Sequence, residues 1–442
     1  MDVDVIVLGL GPGGESAATQ LAKEGLRVVG IDRRLVGGEC PYYGCIPSKM
    51  MIRAADALAE GRRVDGLAGA ATVRADWSPV ATRIRDEATT DWDDQVAVER
   101  LEAAGVTFVR GAGRLTAPGT VEVDGTTYVA KRGVVLNTGT EPAVPPIPGL
   151  EGTPFWTNRE AVRVTDLPAS LTVIGGGAIG VELAQAFSRF GVAVTIVEAA
   201  PRILAPEEPE ASVLVTRVLE NQGIRVVAGA EISSVAHDGS FVIDVDGVSL
   251  PSEQLLLATG RRNNLADIGL DSVGLDPEAK LLQVDERMRA GERLWGIGDI
   301  TGKGAFTHMS MYQAEIAVRD ILDRDGPAAD YRAVSRVTFT DPEVGSVGLT
   351  EHAAREAGGD IRTGLSRDLG TRGWIAQSEG LVKLVADGDV LVGATAVGPS
   401  GGEVLSMLTA AVHARIPIPT LKTMHFAYPS FHRSVMTALA EL

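Results

Sequence analysis

Gly37-Gly38-Glu39-Cys40-Pro41-Tyr42-Tyr43-Gly44-Cys45-Ile46-Pro47-Ser48-Lys49 is the stretch on which the reading of this chain turns. It holds the only two cysteines of the 442 residues, with four residues between them. A loop of that length can bring two sulfurs into bonding range. Pro47 suits the first turn of a helix, and a helix N-terminus at Cys45 favours the thiolate, which is the reactive form. A thiol pair of this kind points to electron transfer where a redox cofactor is delivered to it. The alternative is two inert, buried cysteines.

The chain just before this stretch reads as a nucleotide site. Residues 3–8 form a strand, and Gly9-Leu10-Gly11-Pro12-Gly13-Gly14 a glycine loop. A helix follows to about residue 24, then a second strand over 27–32 that ends in Asp32. A strand running into G-x-G-x-x-G and then a helix is the setting a dinucleotide fingerprint requires. Gly9 makes the tight turn, Gly11 lets a pyrophosphate approach, and Gly14 lets helix and strand pack closely. The helix N-terminus then turns N–H groups and its positive dipole end toward the phosphates. Asp32, 21 residues after Gly11, is placed to accept from ribose hydroxyls.

The same unit recurs 166 residues later. Residues 171–174 are a strand, Gly175-Gly176-Gly177-Ala178-Ile179-Gly180 the loop, and 192–198 the second strand. Gly9, Gly11, Gly14, Ala18, Gly25, Val28 and Asp32 align with Gly175, Gly177, Gly180, Ala184, Gly191, Val194 and Glu198. Each matched position has a structural reason, so the chain carries two nucleotide-binding domains. Glu198 stands where a carboxylate accepts from a ribose 2′-OH and repels a 2′-phosphate, which favours NAD(H) over NADP(H). Arg202, four residues on, keeps NADP(H) open.

Between the two units lies a polar helical region over 50–102, then short strands and Gly133 to Gly139. The proline-rich Pro145-Pro146-Ile147-Pro148-Gly149 reads as a linker. Residues 255–260 (LLLATG) form a further strand and turn. Residues 294–299 repeat the theme of strand, glycines and acid, and Asp299 is placed to accept from a polyol chain. A long helix covers 309–323. Beyond Pro327 the texture changes to an antiparallel sheet, with strands over 337–340, 344–349, 381–386 and 390–397 and a turn at Gly388-Asp389. Helices over 351–357 and 401–414 complete an α+β domain.

Composition narrows the partners. Hydrophobic residues make up 45% and charged residues 22%, an ordinary globular balance. A net charge of −17 argues against nucleic acid or an anionic membrane as partner. No run of about 18 apolar residues exists to span a membrane. The N-terminus carries Asp2 and Asp4 rather than a basic region, so its apolar run reads as a strand and not a signal peptide. Two cysteines make no extracellular disulfide framework. The expectation is a cytoplasmic protein.

Together these motifs resemble the pyridine nucleotide–disulfide oxidoreductases, the group of dihydrolipoamide dehydrogenase, glutathione reductase and mercuric reductase. The resemblance spans nearly the whole chain. It rests on Gly9 to Gly14, the C-x4-C-I-P-S-K of Cys40 to Lys49, the turn Thr138-Gly139, and Gly175 to Gly180. It continues through Ala258 to Gly260, the G-x-G-D of Gly296 to Asp299, and the F-T-x-P-E-V-x-x-V-G-x-T-E of Phe339 to Glu351. It implies an α/β fold of two Rossmann-like nucleotide-binding domains, for FAD and NAD(P), and a C-terminal α+β dimerisation domain. The divisions would be an FAD domain over 1–149, an NAD(P) domain over 150–262, a second FAD or central part over 263–330 and an interface domain over 331–442. Thr138, Gly139, Gly260 and Gly298 join the fingerprint residues as cofactor contacts. The resemblance also implies a homodimer, in which the third domain of one subunit completes the partner's active site.

By the same resemblance, hydride passes from the nicotinamide to FAD and on to a Cys40–Cys45 disulfide. Cys45 would stand next to the flavin and Cys40 would be the interchange thiol. Lys49 would lie near the flavin and pair with Glu182, its charge stabilising the reduced, anionic flavin. No metal site is expected, because no cluster has ligand spacing.

One departure matters. Disulfide reductases of this family carry a C-terminal H-P-x-x-x-E, whose His serves the interchange thiol. Here the stretch is Tyr428-Pro429-Ser430-Phe431-His432-Arg433. A tyrosine ordinarily titrates near about pH 10, so it is a poor proton shuttle at neutral pH, although it can donate a hydrogen bond. Arg433 brings a fixed positive charge to the place of the Glu. Mercuric reductases also use Tyr here, but they end in a cysteine pair that this chain lacks. His432 and His425 are candidate replacements, against a structural role beside a helix. Tyr42 and Tyr43 either line a pocket for a planar acceptor or pack beside the flavin. Three functions follow: an oxidoreductase whose disulfide serves a disulfide or another small oxidised acceptor; a reductase of quinones, metal ions or other electrophiles with no thiol–disulfide step; and a low-turnover flavin redox sensor.

Overall fold

Val5, Ile6 and Val7 are wholly buried. A continuous apolar run of that kind belongs inside a parallel sheet covered on both faces. A computed structural model, which describes residues 1–442, places them there. Two units form. One is Met1–Pro47 with Ala81–Ala143 and Arg261–Asp330; the other is Ser48–Val80 with Val144–Gly260 and Tyr331–Leu442.

In the first unit the strand order is Arg289–Gly291, Leu294–Gly296, Thr126–Leu136, Asp2–Leu8, Val28–Asp32, Val106–Arg110. Asp2–Leu8 pairs in parallel with a neighbour on each side. The strand order therefore reverses beside it, and ligands of such sheets bind beyond the carboxyl ends of the strands at that point. The Gly9 loop and Asn137-Thr138-Gly139 stand there. The helix Pro12–Lys23 buries Gly13, Gly14, Ala17, Ala18 and Leu21. A Cβ at Gly14 would strike the Gly9 carbonyl, so only glycine allows this approach of helix to strand.

The second unit repeats the device. Its parallel sheet runs Arg225–Ala228, Ala193–Glu198, Ser170–Ile174, Gln254–Leu257. The Gly9 N–H donates to the Ile31 carbonyl, and 166 residues on the Gly175 N–H donates to Val197, both at 2.8 Å. A Cβ at Gly180 would strike the Gly175 carbonyl, as at Gly14. This unit also holds a five-stranded antiparallel sheet, ordered Ser335–Thr338, Glu343–Gly348, Val390–Gly398, Leu381–Asp387, Ile361–Ser366. Leu384, Ala394, Leu405, Leu408, Val435 and Leu439 join in its core.

Two regions differ from the sequence expectation. The polar region 50–102 is not one helical stretch. It divides into Cys45–Arg62, Ser78–Arg83 running into a π-helical turn Ile84–Ala88, and Gln95–Ala103. Glycines at positive φ (Gly66, Gly69) and the left-handed run Thr90, Asp91, Trp92 break the helical path. In the C-terminal sheet the strand Ile361–Ser366 and the helices Gly370–Ala376, Ile418–Lys422 and Arg433–Ala440 are additions. Gly364 hides that strand in the sequence, since mid-strand glycine reads against a strand. It is needed because a Cβ there would strike the Ala438 carbonyl of the last helix.

Within this unit Lys383 is buried among three carboxylates, Glu208 at 2.9 Å, Glu210 at 2.9 Å and Glu351 at 2.8 Å. Burial alone would lower the Lys383 ammonium, but hydrogen bonds to Glu351, Glu208 and Glu210 outweigh it and raise the group above its ordinary 10.5. Hydrogen bonds from Lys383 and then Arg355 hold Glu351 below its ordinary 4.5. A raised ammonium gives stability that is lost as pH climbs past its unfolded value, and a lowered carboxyl gives stability that is lost as pH falls. The cluster therefore contributes fully between about pH 5 and pH 10. Lys383→Met leaves the buried Glu208 carboxylate without its ammonium partner and should lower the unfolding free energy at pH 7 by about 3–5 kcal/mol. Denaturant unfolding at pH 7 and at about pH 4 checks this, with the loss expected to shrink at the lower pH as the carboxylates take up protons.

Candidate active site

Glu39–Tyr43 is a short helix, Gly44 turns the chain, and Cys45 opens the helix Cys45–Arg62. Gly37 and Gly38 have φ of 102° and 69°, which favours glycine. A Cβ on Gly38 would come within 2.8 Å of the Gly11 Cα, so the cysteine loop lies directly on the glycine loop. Both cysteines are thiols, Cys40 half-buried and Cys45 exposed. They hydrogen-bond to each other, and that contact, with burial behind it, pushes the Cys40 thiol far above its ordinary value against the opposing effect of Thr307. The Thr307 hydroxyl lies 3.6 Å from the Cys45 sulfur. Thr307 opens the helix Thr307–Ile321 and escaped the sequence reading, its only local sign being a hydroxyl residue at a helix start. Tyr42 is buried, and its carbonyl accepts from the Trp92 indole at 3.0 Å. Its ring is a packing element, tilted 54° to the half-buried Tyr43.

Around the first glycine loop, Asp32 accepts from the N–H groups of Leu10 and Arg34, both at 2.7 Å. Burial pushes its carboxyl up against these two donors. Asn137, another residue the sequence reading left without a role, accepts from Gly14 N–H at 2.6 Å and donates to the Ile297 carbonyl at 3.1 Å. Asp299 accepts from Thr140 at 2.7 Å, and Arg261 donates to Thr140 at 2.7 Å and to Glu39 at 3.0 Å. Gly139 has φ 65° and open space where a Cβ would be. Gly298 has φ 80°, and a Cβ there would meet the Asn137 amide. The Thr138 hydroxyl oxygen is buried with no hydrogen-bond partner. An orphaned buried hydroxyl beside a glycine loop at a strand switch point suits a polar ligand, and these residues fit FAD.

The second loop repeats the pattern. Glu198 accepts from Gly176 N–H at 2.5 Å and Ala200 N–H at 2.6 Å, the counterparts of the Asp32 contacts. Gly177 and Gly260 have open space around a would-be Cβ. Arg202 is occupied, donating to the carbonyls of Leu204, Ala205 and Glu207 at 3.0, 2.7 and 2.8 Å.

Lys49 and Glu182 form an ion pair at 2.7 Å, with the Glu182 side chain only 6% exposed. In the C-terminal stretch Tyr428 is 65% exposed and donates to the Thr371 hydroxyl at 3.1 Å. The Arg433 guanidinium lies over its ring, 5.1 Å from the centroid. His432 stacks on Phe426 at 6.3 Å, and His425 Nδ1 lies 3.1 Å from its near neighbour, the Thr423 carbonyl.

Paired glycine loops, a thiol pair on one of them and a C-terminal antiparallel sheet define a nucleotide-dependent redox flavoprotein. Residues 3–319 match the family described as pyridine nucleotide-disulphide oxidoreductase, and residues 334–439 match that family's dimerisation domain. A mercuric reductase of Bacillus cereus is 31% identical over 434 residues, covering 95% of this chain and 68% of that protein. A dihydrolipoyl dehydrogenase of Chlorobaculum tepidum is 33% identical over 454 residues, 98% and 96% of the two chains. Among solved structures, the Cu(II) complex of the HOCl-induced flavoprotein disulfide reductase RclA from Escherichia coli superposes with TM-score 0.86 at 25% identity, covering 100% and 99%. LpdA from Mycobacterium tuberculosis gives 0.87 at 26%, covering 99% of each. The chain belongs to the pyridine nucleotide–disulfide oxidoreductases. It is an FAD-dependent NAD(P)H oxidoreductase built for electron transfer from NAD(P)H by way of FAD to a disulfide. None of its helices is long and apolar enough to cross a membrane.

Cys45→Ala removes the partner that raises the Cys40 thiol most. The alkylation profile of Cys40, followed by mass spectrometry, should then move to lower pH, with about a tenfold faster reaction at pH 8. An unchanged profile would count against the thiol–thiol contact.

Proposed function

We propose that this enzyme uses NADH to reduce the Cys40–Cys45 disulfide, and that Cys40 passes the electrons to a small oxidised acceptor. The observation that carries the reading is the mutual hydrogen bond of the two thiols, with the Thr307 hydroxyl beside Cys45. Gly9, Gly11, Gly14, Asp32, Thr138, Gly139, Gly298 and Asp299 would hold FAD, and Gly175, Gly177, Gly180, Glu198 and Gly260 the nicotinamide nucleotide. When bound, FAD would supply a carrier that takes hydride from the nicotinamide and yields an electron pair to the Cys40–Cys45 disulfide, whose S–S bond breaks to leave two thiols. Lys49, fixed by Glu182, supplies the positive charge that favours reduced flavin.

The preference for NADH rests on Glu198, whose carboxylate disfavours a 2′-phosphate. It is supported by Arg202, whose guanidinium is already engaged by three carbonyls. The functional divisions are taken as 1–149, 150–262, 263–330 and 331–442. The matched dimerisation domain supports a homodimer whose C-terminal stretch completes the partner's site.

Tyr428 acts in this reading as a hydrogen-bond donor, and Arg433 as a fixed charge toward an anionic acceptor or thiolate. His432 is left as the acid or base. The raised Cys40 thiol favours a second reading, because the Cys45 contact and burial hold it toward the protonated form, which is not the nucleophile. In that reading the acceptor is a quinone, a metal ion or another electrophile, reduced without thiol–disulfide interchange. The mercuric reductases among the relatives and the Cu(II) complex of RclA support including metal ions.

Steady-state NADH oxidation against lipoamide, glutathione disulfide, quinones, Hg(II) and Cu(II) separates the two, in wild type and Cys40→Ser. The first reading predicts at least about a hundredfold loss in the variant for the preferred acceptor, and kcat/KM about tenfold higher with NADH than with NADPH. A Cys40→Ser enzyme that turns over the preferred acceptor at the wild-type rate contradicts the first reading and establishes the second.

A further inference from the structure

The turn Phe339-Thr340-Asp341 follows the strand Ser335–Thr338 and meets two helices. Along Ala178–Arg189 it is held at three points of one face, Glu182, Gln185 and Arg189, spaced three and four residues apart. The Phe339 N–H donates to Glu182 Oε1 at 2.8 Å. The Asp341 N–H donates to Gln185 Oε1 at 2.8 Å, and its carbonyl accepts from Gln185 Nε2 at 2.9 Å. The Asp341 carboxylate accepts from Arg189 at 2.7 Å and from Arg63, just past the end of Cys45–Arg62, at 2.6 Å. The turn is therefore pinned in place by backbone and side chain alike.

Its first residue reaches Lys49 by two routes. Glu182 gives one oxygen to the Phe339 N–H and the other to Lys49 Nζ at 2.7 Å. The Phe339 ring also lies against the ammonium, with Nζ 4.7 Å from its centroid. A lysine is a point charge on a flexible four-carbon stem, so where that charge stands depends on what immobilises it. An aromatic face within about 6 Å attracts a cation and fixes its direction of approach. Both the ion-pair partner of Lys49 and its aromatic contact thus answer to one residue of a turn leading off the C-terminal sheet.

We infer that Phe339 is a positioning residue for Lys49: its N–H orients Glu182, its ring holds the ammonium, and together they set the positive charge that stabilises reduced flavin. The inference rests on the reading in which Lys49 serves FAD. It assigns a redox-tuning role to Phe339, and it gives the matched F-T-x-P-E stretch a function beyond folding the sheet.

The test compares Phe339→Leu, Phe339→Tyr, Phe339→Trp and Lys49→Met as holoenzymes. It measures the flavin reduction potential, the rate of anaerobic flavin reduction by NADH and thermal unfolding. Leu keeps the N–H and loses the ring, so the equilibrium constant for flavin reduction and the rate should each fall about three- to tenfold. Tyr and Trp keep a π face and should stay within about twofold of wild type. Should Leu cost the fold, Phe339→Met carries the comparison. A folded Leu or Met variant with wild-type potential and rate overturns the inference, as does a Tyr variant as impaired as Leu. If Lys49→Met itself leaves the potential unchanged, the role of Lys49 toward FAD fails and the inference with it. A shift in Lys49→Met with none in Phe339→Leu removes the inference alone.

Discussion

The guanidinium of Arg189 is 5% exposed and lies between two carboxylates, Asp56 and Asp341. A buried cation of this kind is tolerable only while both partners stay charged and in place, and removing one partner of such a pair is strongly destabilising. Burial would raise the Asp341 carboxyl, but Arg189 and Arg63 outweigh it and hold the group below its ordinary value. The arrangement fixes rotation as well as contact. Lys49, Asp56 and Arg63 recur every seven residues, two turns of helix, and so fall on one stripe. Glu182, Gln185 and Arg189 form the facing stripe on their own helix. With Arg189 locked on Asp56, Lys49 is brought into phase with Glu182 two turns away, at 2.7 Å.

Much of this was legible in the sequence, and for local reasons. The offset of 166 residues predicted two nucleotide loops, and the structure carries the same hydrogen bonds at both: Leu10 and Arg34 to Asp32, Gly176 and Ala200 to Glu198. A glycine turn, a helix start and a strand-end acid lie close along the chain, so short-range pattern suffices to find them. Thr307 and Asn137 lacked such a pattern, and the motif that opens at Phe339 gave that residue no role of its own. Thr307 meets Cys45 across 262 residues and Phe339 meets Glu182 across 157, and such contacts arise from tertiary packing alone. The strand Ile361–Ser366 was hidden by Gly364, whose presence answers to the last helix rather than to the strand.

The family relationship and the C-terminal departure bear on different halves of the reaction. In the proposed function the supply of electrons rests on glycine loops, strand-end acids, a thiol pair and a fixed lysine, and the chain has all of them. Delivery depends on moving a proton at Cys40. The Cys40 thiol is pushed up by its neighbour and by burial. In the C-terminal stretch, the Tyr428 hydroxyl is bonded to Thr371 and the Arg433 guanidinium lies over the tyrosine ring. The relatives include proteins named mercuric reductase and dihydrolipoyl dehydrogenase, at 31% and 33% identity.

The central claim is that the two cysteines of the glycine-loop unit take up the electrons that NADH delivers. Anaerobic titration of the oxidised holoenzyme with NADH, followed by thiol counting and mass mapping, tests it directly. One equivalent of NADH should expose two new thiols per chain, at Cys40 and Cys45, and none in Cys40→Ser. Reduction of the flavin in the wild-type protein with no new thiol at either position would contradict the account.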